Sequence, residues 1–251
     1  MSSYKNFAEY YDILTNNIPY AKRGEYFNAI LKKNAINDGI LVDLACGTGS
    51  LSEVMSDFGY DVVGIDSSIE MLSVAMTKRY DTGKDILYLN QEMQELDLFG
   101  TINACICALD SLNHITIASE VQTVFNKVSM FLHPNGIFIF DVNTEYKHQH
   151  ILSNNTFIYD YDEVYCIWQN SNCVDNVIDI SLDLFCKEEE DDIYTKQTES
   201  FSEKAYSHEE ILGFIETADL DLVAYYADDS FDAPTEDCQR IVYVTKSRKA
   251  K

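Results

Sequence analysis

Two glycines one residue apart, Gly47 and Gly49, stand inside the run LVDLACGTGSLSEVM (residues 41–55), between an apolar stretch and a helical pattern. Glycine at such a junction lets a ligand come close to the backbone, because no Cβ intervenes. Asp66 closes the next apolar stretch, DVVGID, where a carboxylate can accept hydrogen bonds from ribose hydroxyls. The turn does not suit a phosphate. A Walker loop needs Lys and then Ser or Thr after its second glycine, and Ser50 and Leu51 stand there instead. A dinucleotide fingerprint needs a third Gly or Ala three residues beyond Gly49; Ser52 occupies that place, which leaves hydride transfer a weak candidate. Two further side chains have reactive types. His114, in DSLNHI, is a base or an orienting group or simply polar surface, and Arg240, in PTEDCQRIV, pairs with nearby acids or holds an acidic substrate. Seven cysteines, with no CxxC pair and no metal-ligand spacing, predict neither a metal site nor a disulfide framework. Cys105 and Cys107 read as small hydrophobes on one face of a strand.

The elements that position these residues follow from periodicity. ILVDLAC reads as a buried strand, SLSEVMSDFG as a helix stopped by Gly59, and DVVGID as a second strand. SSIEMLSVAMTKRY begins with a serine cap and carries Met71, Leu72, Ala75 and Met76 on one stripe. DILYLN and NACICAL are strands three and four, EVQTVFNKVSMFLHPNG is a helix ended by Pro-Asn-Gly, and IFIFDVN is strand five. This alternation predicts a parallel sheet with helices on both faces. After residue 156 the pattern changes: FIYDYDEVYCIWQ, VIDISLDLFCK, DIYTKQTESF and AYS alternate apolar and polar residues, as half-exposed antiparallel strands do. The acidic run from Glu188 to Asp192 is expected at a solvated hairpin tip. SHEEILGFIETADL returns to helix, and DLVAYYA and RIVYVTK supply two closing strands. The expected organisation is a core of residues 1–145 and 207–251, interrupted by an antiparallel β cap of residues 146–206.

The chain has 251 residues, 46% of them hydrophobic, and a formal charge of −24, so it can bury a sizeable core. A surface that binds nucleic acid needs clustered Lys and Arg to displace counterions, and an anionic membrane surface makes the same demand. The balance therefore points away from both and leaves small neutral or cationic ligands. MSSYKNFAEYYDIL lacks an apolar signal core and no apolar run has membrane length, which predicts a soluble cytoplasmic protein, monomeric or homodimeric.

Taken together, VDLACGTG, VVGIDSSIEML, LNQEMQEL and ICALDSLNHI, in that order, resemble the motifs of the class I S-adenosylmethionine-dependent methyltransferases. The resemblance covers about residues 4 to 145. Later segments, among them NNTF, IWQN and FDAPTEDCQRI, resemble a bacterial group related to amino-sugar and glycine N-methyltransferases. It implies a Rossmann-like seven-stranded methyltransferase sheet with helices on both faces and a small antiparallel β cap inserted after strand five. It also implies S-adenosylmethionine as cofactor. Asp43, Ala45, Gly47 and Gly49 would surround the methionyl part, and Asp66, with Ser67 beside it, would take the ribose. Met71 would lie on the adenine face, although packing alone also accounts for it. Glu92, where the family pattern has aspartate, and the Met93 backbone would read the adenine edge. Ala108 and Leu109 would lie along the methionyl chain. Tyr11 and Tyr20 would close over the cofactor or pack as part of an amphipathic helix. On the acceptor side stand His114, Asn113, Trp168 (or Trp168 as cap core) and Arg240.

Methyl transfer needs an acceptor lone pair behind an already activated methyl group, so positioning and water exclusion do most of the work, and an amine acceptor must lose its proton. The expected partner is a small-molecule methyl acceptor, on nitrogen first and oxygen next. Nucleic-acid methyltransferases place an Asn or Asp with two prolines and an aromatic after strand four, a pattern that ALDSLN lacks. A non-catalytic cofactor-binding sensor or interaction protein would carry the same binding motifs.

Overall fold

The structure is a computed structural model that describes residues 4–188 and 193–249. Two helices, α1 (Tyr4–Leu14) and α2 (Tyr20–Lys33), precede β1 (Ile40–Leu44). Helices and strands then alternate through α3 (Ser50–Asp57), β2 (Asp61–Asp66), α4 (Ile69–Thr82), β3 (Leu87–Asn90), β4 (Ile102–Cys107), α5 (Ala118–Phe131) and β5 (Leu132–Asn143). Four consecutive strands follow: β6 (Thr156–Asp160), β7 (Val164–Asn170), β8 (Val177–Lys187) and β9 (Tyr194–Lys204). The chain closes with α6 (His208–Thr217), β10 (Leu220–Ala227) and β11 (Arg240–Ser247).

Seven strands form one sheet in the order β3-β2-β1-β4-β5-β11-β10, and β6 to β9 form a second, antiparallel sheet inserted after β5. Strands β1 to β5 pair in parallel, whereas β11 runs antiparallel between β5 and β10. The sheet is therefore mixed rather than parallel throughout. No helix connects β10 to β11, and without a crossover helix two neighbouring strands pair antiparallel.

Residues of β1, β4 and β5 alternate between two cores, as a strand's period of two requires. Val42, Cys105, Cys107, Phe138 and Phe140 pack with Phe125 of α5 and Phe214 of α6 on one face. Leu41, Ala104, Ile106, Ile137 and Ile139 pack with Phe27 and Ile30 of α2 and Met55 of α3 on the other. The inner face of the second sheet buries Val164, Cys166, Ile178, Ile180, Leu182 and Leu184, and Phe7, Tyr10, Ile13 and Leu14 of α1 pack against this cluster. Among the described residues no helix is long and apolar enough to cross a membrane.

Four sequence expectations are corrected. FIYDYDEVYCIWQ is a hairpin, β6 and β7, because Tyr161 N–H donates to Val164 O across an acidic turn. AYS is not a strand: Ser207 caps α6 in a capping box with Glu210, and Ala205 and Tyr206 lead into it. Helix α5 ends at Phe131, and His-Pro-Asn-Gly forms an irregularity within β5, where the register against β4 shifts between Ile102 and Ala104. Met76 is half exposed rather than buried: α4 packs on α1, β2 and β3, and the stripe it buries is the narrow one of Met71, Leu72 and Ala75. Of the acidic run at the β8–β9 turn, all but Glu188 lies outside the described residues.

Candidate active site

The chain turns sharply after β1. Ala45, Gly47 and Gly49 all have positive φ, of 60°, 54° and 75°. An alanine in that region is strained, and such strain persists where the surroundings impose it. Asp66, at the end of β2, imposes it here. Its Oδ2 accepts the Gly47 N–H at 2.8 Å and its Oδ1 accepts the Ser68 N–H at 2.9 Å. Asn90 of β3 donates to the carbonyls of Asp66 and Ser67 at 3.0 and 2.8 Å, pinning the same corner.

The two glycines serve different ends. A Cβ on Gly49 would lie 2.3 Å from Tyr88 Oη, so that glycine permits close packing within the fold. A Cβ on Gly47 would meet nothing within 4 Å, so that glycine keeps space free. The space is a cavity of about 40 Å³ where the strand order reverses direction, between β1 and β4, the place where open α/β sheets bind ligands. Tyr11 and Tyr20 from the N-terminal helices, Asp43, Ala45 and Gly47 from β1 and its turn, and Ala108 and Leu109 after β4 line it. The other residues expected around a cofactor lie outside this lining. Gly49 faces Tyr88, Asp66 sits behind the Gly47 amide, and Ser67 is exposed. Met71 is buried in the first turn of α4, Glu92 is exposed after β3, and Met93 rests its sulfur 4.0 Å from that of Cys107.

Asp43 is 2% exposed and accepts the Ser52 hydroxyl at 2.5 Å. Burial pushes its carboxyl up to about 7, against the opposing pull of that hydroxyl. Burial likewise raises Asp66 above the usual carboxylate range, opposed by the Ser68 and Gly47 amides. Above the turn, Asp12 of α1 accepts Thr48 Oγ1 at 2.7 Å and pairs with Lys78 of α4 at 2.5 Å. The N-terminal helix is thereby latched across the glycine turn.

Beyond β4 and β5 the charges form a network that sequence reasoning missed. Asp141, fully buried on β5, accepts the Leu109 and Asp110 amides at 2.8 Å each and pairs with Arg23 and Arg240. Arg240 also binds Asp110 at 2.5 Å and lies 3.6 Å from Asp228, which Arg23 binds at 2.8 Å. Burial opposes ionisation of Asp110, but Arg240, Lys147 and His114 outweigh it and hold the carboxyl below its usual range. Arg240 is thus engaged with three carboxylates. Leu109 and Asp110 both have positive φ, at 58° and 55°, and Asp141 fixes them there.

The remaining acceptor-side expectations separate. Asn113 is buried and its amide joins elements: it bonds both the N–H and C=O of Asn143 and the Lys204 carbonyl. Trp168 lies on the inner face of the cap, edge-on to Phe157, with its N–H on Asn170. His114 is half exposed, with its ring 4.9 Å from that of Phe201 and its Nε2 3.7 Å from Glu203 Oε1. Glu203, His148 and Lys147 gather beside this histidine; burial lowers the Lys147 ammonium, whose Nζ donates to Asn143 Oδ1 at 2.8 Å. The strand alternation that places Phe201 inward places Glu203 inward as well, and that signal was available in the sequence. A larger open depression of about 490 Å³ on the cap has Asp179 as its one titratable lining residue, so the chemistry gathers at the smaller cavity.

The arrangement offers a ligand backbone room at Gly47, the carboxyl group of Asp43 in the lining with that of Asp66 behind the turn, and a titratable cluster past the end of β4. Residues 41–136 match the family model of the methyltransferase domain. The chain is 30% identical to YqeM of Bacillus subtilis (strain 168), a protein whose name assigns it provisionally to the methyltransferases, over 99% of this chain and 98% of that one. A protein of Geobacillus sp. (strain WCH70), named in the same provisional way, is 28% identical over 97% and 99% of the two chains. The crystal structure of an S-adenosylmethionine-dependent methyltransferase from Clostridium acetobutylicum ATCC 824 superposes with a TM-score of 0.88 at 30% identity, covering 97% of this chain and 98% of that one. With the motif turn, the sheet order and full-length similarity in agreement, the chain belongs to the class I S-adenosylmethionine-dependent methyltransferases.

Proposed function

We propose that the chain methylates a small molecule, on nitrogen first and oxygen next, at the junction of the β1–β4 cavity and the cap. The observation that carries this reading is the open space at Gly47, at the strand-order reversal, lined by Asp43 and with Asp66 holding the Gly47 amide from behind. S-adenosylmethionine supplies an activated methyl group when bound. Asp43 and the open backbone at Ala45 and Gly47 would hold its ammonium-bearing end, and Asp66 and Ser67 its ribose. Met71, Glu92 and Met93 would form the adenine end. Tyr11 and Tyr20 would exclude water from above. His114 would take the proton that an amine must lose before its lone pair can attack. Nitrogen comes first because His114, half exposed and beside Glu203, is placed to take the proton that an amine acceptor must lose. Arg240 and Asn113 would then support the acceptor wall from behind, through the carboxylates and backbone that they bind.

The test is a screen of amines and hydroxylated metabolites for formation of S-adenosylhomocysteine, repeated with His114→Ala. Turnover of an amine that falls by roughly 10²-fold in the variant, at unchanged cofactor affinity, supports the assignment. Full activity in the variant overturns the role of His114, and turnover confined to hydroxyl acceptors overturns the preference for nitrogen.

A further inference from the structure

Glu203 lies on the inner face of β9, 4% exposed, with few partners for a carboxylate so deeply placed. Among the described residues its one hydrogen bond comes from Asn143 Nδ2 to Oε2, at 3.5 Å. Two imidazoles flank it, His114 Nε2 at 3.7 Å from Oε1 and His148 Nε2 at 3.7 Å from Oε2. The neighbouring carboxylate, Asp110, already binds Arg240 and Asn143, so Glu203 is the acid with acceptor capacity left for a histidine.

His148 is fully buried, and its Nδ1 lies 3.1 Å from the Asn176 carbonyl oxygen, which can only accept. Nδ1 therefore carries a proton, and Nε2, which has no hydrogen-bond partner, is aimed at Glu203. A buried orphan lone pair against a carboxylate is costly, whereas a proton between the two satisfies both. His148 thus anchors one oxygen of Glu203 and leaves the other directed at His114.

We propose that Glu203 is a positioning residue for His114: it accepts from Nε2–H, selects that tautomer and leaves Nδ1 as the lone pair that receives the acceptor's proton. This rests on the reading of His114 as the base. In the step, the acceptor's N–H bond breaks, the proton forms an Nδ1–H bond, and the electron pair remains on the acceptor nitrogen. The resulting imidazolium keeps its Nε2–H on the Glu203 carboxylate, which stabilises the charge. Phe201, two residues earlier on the same face of β9, holds the ring plane. The gap of 3.7 Å is long for a hydrogen bond, and catalytic hydrogen bonds commonly tighten when the site is filled.

The charged or titratable groups facing Glu203 are His114 and Asp110 from the segment after β4, and Lys147 and His148 from the segment after β5. Arg240 stands one step behind, through Asp110.

The test uses ¹⁵N-histidine-labelled full-length protein, with the His114 resonances identified by their loss in His114→Asn. Wild type should show His114 as a single Nε2–H tautomer and His148 protonated on both ring nitrogens. In Glu203→Gln, His114 should become a tautomer mixture, while Glu203→Asp keeps partial selection. With the most active amine from the acceptor screen, Glu203→Gln should lower kcat by roughly 10²-fold, leave KM within about twofold and move the acid limb of the pH–rate profile to lower pH. An unchanged tautomer and pH profile in Glu203→Gln, with His114→Ala still inactive, overturns the role of Glu203 alone. Full activity in His114→Ala overturns the underlying reading instead. The tautomer measurement needs no acceptor, and the amide oxygen that Glu203→Gln introduces can still accept from Asn143, so the variant should fold.

Discussion

Cofactor binding is expected to drive a proton off Asp43 near neutral pH. Burial holds this carboxyl at about 7, with the Ser52 hydroxyl already opposing the shift, so the free protein carries it about half protonated at pH 7. A ligand ammonium placed beside Asp43 favours the ionised form. If only that form binds well, apparent affinity scales with the ionised fraction, which rises from about a tenth at pH 6 to about nine-tenths at pH 8. Affinity should therefore increase about tenfold across that range, or about 1.4 kcal/mol. Titration calorimetry at pH 6, 7 and 8, in two buffers of different ionisation enthalpy, measures both the affinity and the protons released. Asp43→Asn removes the titrating group, so its affinity should be weaker at pH 8 and lack this pH slope; the cofactor's own ionisation is common to both proteins and cancels in the comparison. The same group gives a stability prediction. Its folded value, about 7, exceeds the ordinary aspartate value of 3.8, so its stabilising contribution is fully present below about pH 4 and is lost as pH rises through 7. A shift of that size corresponds to about 4 kcal/mol across the whole range, since the residue is almost wholly buried. The ligand-free variant should lose less stability than wild type between pH 5 and 8. Identical pH slopes for binding in the two proteins would refute the placement of a cation at Asp43.

The glycines should part company under substitution. Gly47→Ala should cost about 1 kcal/mol of stability, for a side chain at positive φ, yet lower cofactor affinity at least tenfold, whereas Gly49→Ala should cost about 2–4 kcal/mol because its Cβ meets Tyr88; thermal melts and calorimetry on both variants check this, and equal melting losses would contradict it. Asp12→Asn should speed cofactor dissociation about three- to tenfold, because it weakens a partly exposed pair with Lys78 and a hydrogen bond from Thr48 that hold α1 over the turn; stopped-flow displacement reads the rate, and an unchanged rate would show that α1 does not gate the cavity.

How much of this was legible in the sequence depended on distance along the chain. Strands β1, β4 and β5 are buried on both faces and so read as predominantly apolar runs, and the glycine turn with Asp66 is a compact local pattern. Local pattern misled where a second strand or a helix cap shared the same alternation, as at the β6–β7 turn and at Ser207. The charge network lay out of reach. Arg23 reaches Asp141 across 118 residues and Asp228 across 205, and no periodicity announces such pairs. Arg240 illustrates the limit: its acidic surroundings in sequence are mostly not its partners, and two of those partners, Asp110 and Asp141, come from the other side of the cap. Glu203 was nearer to hand, since an acid at an inward position of an alternating strand has to be held by something.

Helix α1 joins the two halves of the site. Phe7, Tyr10, Ile13 and Leu14 pack on the buried face of the cap, while Tyr11 lines the cavity and Asp12 grips Thr48 and Lys78. The cavity beneath holds about 40 Å³, far below the roughly 300 Å³ at which small-molecule sites begin. A ligand that fills this space is therefore expected to displace α1, the displacement that the Asp12→Asn dissociation rate tests. Because the same turns of the helix pack on the cap, that displacement is expected to loosen the cap as well. The latch at Asp12 opposes that motion from one end, and the apolar contacts with the cap oppose it from the other. Under the proposed function, loading the cofactor and admitting the acceptor would then be coupled through one helix, with Tyr11 and Tyr20 in the cavity lining placed to exclude water.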